Sequence, residues 1–279
     1  LFLRIHIHFF RFDPTSPAMT LLSSRLPDER QRLILERLSS DGRILAAEFA
    51  HEIGASEDTI RRDLRELSGA GLCRRVYGGA LSLAPAGTPI SARREQSVPR
   101  KDALGATAAA LVRSRQTVVI DAGSTNEAIA QALPDDQGLT VVTNAPAIAM
   151  RLAERSGFDV ILIGGRLDPR SGAVLGARAL RDVDRLRADL FFVGGCALSA
   201  RHGLTAFDAE EAEFKRVVAA SSATVVAAIT NEKLETAAPF PVIETAGISD
   251  LVVEHDAPAE LLAGFDATRL RIHRAGREE

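Results

Sequence analysis

Three stretches near the start of the chain carry apolar residues at helical spacing. Leu33, Ile34 and Leu38 mark a helix over residues 28–38 that ends near Asp41-Gly42. Ala47, Phe49, Ala50 and Ile53 mark a shorter one over residues 46–53, and Gly54-Ala55 turns tightly out of it. Ile60, Leu64 and Leu67 mark the third, over residues 56–67. Ser56 is a good N-cap for it, and Glu57 and Asp58 occupy the first turn, where the helix dipole favours anions. The period then changes. Residues 72–77 read as a strand, Gly78-Gly79 as a hairpin turn and residues 80–83 as the returning strand.

A stretch rich in Pro, Ala and Ser over residues 85–99 reads as a linker. Beyond it, short apolar runs alternate with helical patterns. Runs at 117–120, 139–142, 160–163, 190–193 and 224–229 read as strands, and stretches at 101–112, 126–133, 145–155 and 209–220 as helices. That alternation predicts an α/β domain with a largely parallel sheet. The 279 residues are expected to divide into an extension over 1–25, a small unit of three helices and a hairpin over 26–82, a linker over 83–100 and a larger α/β domain over 101–279.

The third helix separates two faces. Arg61, Arg62 and Arg65 project away from the apolar stripe, with Asp58 among them. Exposed arginines on a helix suit the DNA major groove, where Arg pairs with guanine edges and phosphates. The same residues also suit a solvated face laced with i,i+4 pairs. The surroundings decide between these. Helix, short turn, helix is the geometry in which the second helix reads DNA, and Arg74 and Arg75 lie on the hairpin beside it, where a wing would grip phosphate. The chain totals −3, and residues 25–75 hold ten Arg against ten Asp and Glu, yet residues 61–75 hold five Arg against only Asp63 and Glu66. DNA affinity follows the charges that reach phosphate, not the total. A near-neutral unit predicts a homo-oligomer, a dimer or tetramer, on repeated half-sites.

Composition is that of a soluble globular protein, with 46% hydrophobic and 25% charged residues. Cys73 and Cys196 suggest neither a disulfide framework nor metal-ligand spacing, so both are expected to be reduced cytoplasmic thiols. Residues 1–18 are apolar but interrupted by Arg4, His6, His8 and Arg11. That stretch is too short to span a bilayer and lacks the apolar core of a signal peptide. Met19 is expected to be the true start. No P-loop, G-x-G-x-x-G, H-E-x-x-H or paired C-x-x-C occurs, so no cofactor or metal is expected.

The larger domain carries polar residues at the carboxyl ends of its predicted strands, where ligands of such sheets sit. The first strand runs into Asp121-Ala122-Gly123-Ser124-Thr125-Asn126. Gly123 permits a tight turn, Ser124 and Thr125 can cap the next helix, and free amides at its N-terminus form an anion site. Other strands end at Thr143-Asn144 and at Gly164-Gly165-Arg166. Glu211 and Lys215 stand at i,i+4, the spacing of a surface salt bridge, and Lys233 follows a further strand as a candidate phosphate or hydroxyl partner.

Residues 26–82 resemble the winged helix-turn-helix of the DeoR-type family of bacterial transcription regulators. The resemblance rests on Arg30, Ile34, Leu38, Ser56, Thr59-Ile60-Arg61-Arg62-Asp63-Leu64, Leu67, Gly71-Leu72, Arg75 and Gly78-Gly79-Ala80. It implies operator DNA as partner, held by Ser56, Asp58, Thr59, Arg61, Arg62, Arg65, Arg74, Arg75, Tyr77, Gly78 and Gly79. Tyr77 stands where the family usually has His, and can still hydrogen-bond phosphate. Residues 90–250 resemble that family's sensor domain, related in fold to ribose-5-phosphate isomerase. This implies a phosphorylated sugar or polyol effector near Asp121, Gly123, Ser124, Thr125, Asn126, Thr143, Asn144, Gly164, Gly165, Glu211, Lys215 and Lys233. Two positions depart from the family: Thr230 replaces a common Asp, and Gly194-Gly195-Cys196-Ala197 replaces a Gly-x-Asp/Asn-Gly turn. Repression is the commoner mode in that family. The rival reading is a sugar-phosphate isomerase with a DNA-binding arm. Isomerisation needs a positioned carboxylate base, and residues 194–198 contain none.

Overall fold

The structure, a computed structural model, describes residues 26–41, 43–70, 72–76, 78–82, 89–265 and 270–276. The extension and Met19 lie outside the described residues. Helix α1 (Pro27–Asp41) is followed by strand β1 (Arg43–Leu45), α2 (Ala46–Ile53), α3 (Glu57–Gly69), β2 (Cys73–Val76) and β3 (Gly79–Ser82). The expected hairpin is present, and β1 joins it antiparallel in the order β1-β3-β2. The hydrophobic pattern does not predict β1, because three residues are too few to show an alternation. Ile34, Leu38, Phe49, Ile60, Leu64 and Leu67 form the core of this unit. Each such side chain contributes roughly 1.5–3 kcal/mol when fully buried. Arg30 on α1 and Asp63 on α3 form a buried two-bond ion pair, one bond being 3.0 Å, so Asp63 points into the unit and ties the two helices.

The second unit contains α4 (Ile90–Glu95), α5 (Val98–Ala109), β4 (Thr117–Ile120), α6 (Ser124–Ala132), β5 (Leu139–Thr143), α7 (Pro146–Ala153) and β6 (Phe158–Leu162). A two-stranded ribbon of β7 (Arg166–Leu167) and β8 (Val174–Leu175) leads to α8 (Ala177–Asp184) and β9 (Ala188–Val193). Then come β10 (Ala197–Ser199), β11 (Gly203–Ala206), α9 (Ala209–Ala220), β12 (Ser222–Ile229), β13 (Phe240–Ile243), β14 (Asp250–Val253), α10 (Ala259–Leu262) and β15 (Arg271–Arg274). Seven strands form one sheet in the order β15-β14-β12-β9-β4-β5-β6, and every pairing in it is parallel. Strands β10, β11 and β13 make a separate small antiparallel sheet. The central strands read as continuous apolar runs because both faces are covered. Phe191, Phe192, Ile120 and Val226 have no exposed surface. Within the stretch read as a linker, residues 90–95 form α4, whose Ile90 is buried, and α5 begins at Val98.

Candidate functional site

One candidate surface is built on α3. Ser56 caps the helix: its Oγ accepts from the Thr59 N–H at 3.2 Å and lies 2.8 Å from the Thr59 hydroxyl. With Ile60, Leu64 and Leu67 buried, Asp58, Arg61, Arg62 and Arg65 are all exposed. Arg61 donates to Glu57 at 2.6 and 2.9 Å, and Arg62 stands 4.0 Å from Glu66. Exposed pairs of this kind contribute only about 0.3–0.5 kcal/mol, so phosphate can displace their carboxylates. The salt-bridged face and the arginine-rich face are therefore one surface. Arg75 is exposed on β2, while the Arg74 side chain and Tyr77 lie outside the described residues. Gly78 occupies the turn, and Gly79 is buried. A Cβ on Gly79 would stand 1.9 Å from the Ile44 carbonyl oxygen, so closure of the three-stranded sheet requires glycine there.

A second candidate lies where the order of the parallel sheet reverses. From β4 the chain runs outward through β5 to β6; from β9 it runs the other way through β12 and β14 to β15. The loops leaving β4 and β9 diverge, and such reversals leave a crevice at the carboxyl ends of the strands. A cavity of about 210 Å³ lies there, with a small annex of about 20 Å³ beside the first turn of α6. Gly123 precedes that helix at φ 154° and ψ 147°, a conformation essentially reserved for glycine. Ser124 and Thr125 do not cap α6 as expected. They sit inside its first turn and line the annex, where helix amides have no intrahelical partner. Thr125 Oγ1 is buried and has no hydrogen-bond partner among the described residues.

Several expected site residues brace this loop instead of lining the cavity. Thr143 Oγ1 donates to the Ile120 carbonyl at 2.6 Å, and Asn144 Oδ1 accepts from the Ala122 N–H at 3.1 Å. Asn126 borders the annex, yet its Nδ2 donates to the carbonyls of Asp121 and Phe192 at 2.8 and 3.1 Å. Gly164 lies against Arg178 and Gly165 against Leu175 and Val174; the next residue, Arg166, does line the cavity.

Glu211 and Lys215 are not a surface pair. Lys215 is 1% exposed, with its Nζ bonded to Glu211 and 3.2 Å from Asp121 Oδ2. Burial opposes the Lys215 charge, but the two carboxylates outweigh it and hold the ammonium well above its usual range. Burial pushes the Asp121 carboxyl up, and Lys215 offsets only part of this. Burial acts the same way on Glu211, where Lys215 outweighs it and holds that carboxyl low. Asp121 Oδ2 also accepts from the Gly194 N–H at 3.1 Å, which joins the two diverging loops.

Sequence reasoning misses the cavity's opposite wall. Arg93 on α4, Gln96 and Lys101 line it, and nothing local marks them, because their approach is a tertiary event. Lys101 Nζ donates to the carbonyls of Arg93 and Gln96, and Lys233 Nζ to that of Gly195 at 3.1 Å. Burial lowers the basicity of both lysines, and Lys233 depresses Lys101 further. Two ammoniums held below their usual range by burial and by neighbouring positive charges are a favourable setting for an anion. Burial pushes the Cys196 thiol up and takes that of Cys73 to about 11, so neither is a ready thiolate. Among the described residues, no cluster of His, Cys, Asp and Glu could hold a metal, and no helix is long and apolar enough to cross a membrane.

Comparison with known proteins covers both units of the chain. Residues 30–86 match the family described as DeoR-like helix-turn-helix domain, and residues 96–255 match the DeoR C terminal sensor domain. The HTH-type transcriptional regulator GlpR of Haloferax volcanii is 37% identical over 212 residues, covering 75% of this chain and 82% of its own. The glycerol-3-phosphate regulon repressor of Escherichia coli is 31% identical over 206 residues, covering 74% and 82%. A solved ribose 5-phosphate isomerase A from Methanocaldococcus jannaschii is 12% identical with a TM-score of 0.35, covering 50% of this chain and 55% of its own, too distant to carry an argument about function. With its sensor half matched over more than half of the chain and its DNA-binding half matched as well, the chain belongs to the DeoR family of DNA-binding transcription regulators and not to the enzymes.

Proposed function

We propose that the protein represses a carbohydrate-metabolism operon and leaves its operator when a phosphorylated sugar or polyol occupies the crevice between β4 and β9. The observation that carries this reading is the unmet hydrogen-bonding capacity there. Thr125 Oγ1 and Arg93 Nε are buried without partners among the described residues, beside the open amides of α6. A phosphate would accept from all of them, with Lys233 alongside and Ser124 at the helix start. Asp208, Glu232 and Asp168 line the rest of the cavity and suit hydroxyl groups. The E. coli relative named a glycerol-3-phosphate regulon repressor supports the ligand class. The protein works in the cytoplasm as a dimer or tetramer, which sets two reader helices on repeated half-sites.

A thermal-shift panel on the full chain tests the ligand class. A phosphate ester at about 100 times its Kd stabilises by roughly 2.7 kcal/mol, or about 5–10 °C for a domain of this size. The parent sugars and polyols should give no shift at the same concentration. Equal shifts from both sets would remove the anion from the reading.

Thr125→Val isolates one contact. Its Oγ1 has no partner among the described residues, so the ligand-free melting temperature should hold or rise. Calorimetric affinity for the most stabilising ester should fall about 10- to 100-fold, the range of a hydrogen bond to a charged group. Unchanged affinity would place the phosphate elsewhere. On α3, Arg61→Ala and Arg62→Ala should each weaken operator binding by roughly 1–3 kcal/mol with melting almost unmoved. Normal gel shifts by both variants would show that this face does not read DNA.

A further inference from the structure

Among the described residues, helix α4 is the first element after the DNA-binding domain, and residues 83–89 lie between it and β3. Three standing contacts seat it on the sensor domain. Ile90 is buried and donates its N–H to the Arg170 carbonyl at 2.8 Å. Arg94 donates two bonds of 2.7 Å to Glu127, in the first turn of α6. Lys101 draws in the end of α4 through the carbonyls of Arg93 and Gln96. The neighbouring side chain behaves differently. Arg93 lines both the cavity and its annex, and its Nε is buried with no partner among the described residues. A buried guanidinium N–H is costly to leave without an acceptor. The amides and the Thr125 hydroxyl that border the same annex need an acceptor as well.

We propose that Arg93 is the switch contact of this regulator: it meets the bound phosphate from α4, and so makes the seating of α4 on α6 depend on the ligand. The inference rests on the phosphate site proposed above. A ligand changes DNA affinity only by favouring one arrangement of the protein over another. The rest of the cavity wall, from α6, the β7–β8 ribbon, α9 and the loops after β9 and β12, lies farther along the chain from the DNA-binding domain. Arg93 belongs to the helix through which the chain enters from the DNA-binding domain. Arg94 and Glu127 keep α4 beside the site when it is empty, and the phosphate adds a tie that exists only when it is full.

Amide hydrogen exchange on the full chain tests this, with glycerol 3-phosphate as probe and inorganic phosphate as the minimal anion. At about 100 times its Kd, a ligand slows exchange through openings that it opposes by up to about 100-fold. The wild type should show slowing both in the first turn of α6 and along α4. Arg93→Gln, compared at matched occupancy, should keep the slowing at α6, lose it at α4, and bind about 10- to 100-fold more weakly. Arg94→Gln should instead raise exchange at α4 in the empty protein and keep the ligand-induced slowing. Slowing at α4 that survives in Arg93→Gln overturns the inference, as does a wild type that responds at α6 alone. No response at α6 to either probe overturns the phosphate site itself, and the inference with it.

Discussion

Lys215→Met should destabilise the sensor domain by about 3–5 kcal/mol at neutral pH, the cost of removing one partner from a buried ion pair. Lys215 and Asp121 are each 1% exposed, and Glu211 shares the same ammonium. The variant leaves two carboxylates near each other with no cation to offset their burial. Asp121 already has a carboxyl raised by burial in the intact protein, and Glu211 is held low only because Lys215 outweighs its burial. In Lys215→Met, both folded-state pKa values should therefore lie above their unfolded values. Carboxyls raised in this way destabilise at pH above the unfolded pKa, and the loss is regained as pH falls through the folded value toward about 4. Urea denaturation of wild type and variant from pH 7 to 4 should show the gap closing as pH falls. Adding Asp121→Asn to Lys215→Met should recover part of the stability at pH 7. A loss below 1 kcal/mol, or one independent of pH, would mean that the triad is solvated.

Gly79→Val should abolish DNA binding while leaving the ligand-induced thermal shift of the sensor domain intact. The Cβ position 1.9 Å from the Ile44 carbonyl oxygen is occupied by backbone, which cannot rotate away. The β1–β3 pairing must open, and with it the support for the hairpin that carries Arg75. Overpacking of this kind costs about 1–3 kcal/mol, a large share of a small domain's stability. Gly78→Ala is the useful contrast. It has open space around it and meets only the cost of its φ of 86°, about 1–2 kcal/mol. Fluorescence anisotropy on operator DNA should show Gly78→Ala binding measurably and Gly79→Val not at all. Normal binding by Gly79→Val would show that the wing does not depend on β1.

Local signals made the elements readable, and tertiary contacts hid part of the site. Helix α2 falls on its expected bounds, as do β4 and α9, because apolar period and flanking turns coincide there. The α3 helix was legible from Ser56 and the Ile60, Leu64, Leu67 stripe, which the structure caps and buries as expected. Strand β15 was not legible: Arg271-Ile272-His273-Arg274 is an edge strand whose polar side chains erase the apolar run. The glycine and hydroxyl run from Asp121 to Thr125 stood out because a backbone turn and a helix start demand those residue types. Arg93 and Lys101 did not, since what gives them meaning is the crevice they meet, and a Pro- and Ala-rich context masks them. The burial of Lys215 is hidden from the sequence for a related reason. Its i,i+4 partner is visible in sequence, while the Asp121 that draws it inside lies at the end of β4.

Ligand control of DNA binding is tested most directly by anisotropy of the full chain on a fluorescent operator fragment. The titrants are a phosphate ester that shifts melting and the same compound without its phosphate. A repressor switched through the α6 crevice should release the fragment with the ester alone, and Thr125→Val should need about 10- to 100-fold more ester for the same release. Equal release by the dephosphorylated compound, or an ester that binds the protein tightly and leaves DNA affinity unchanged, would contradict it.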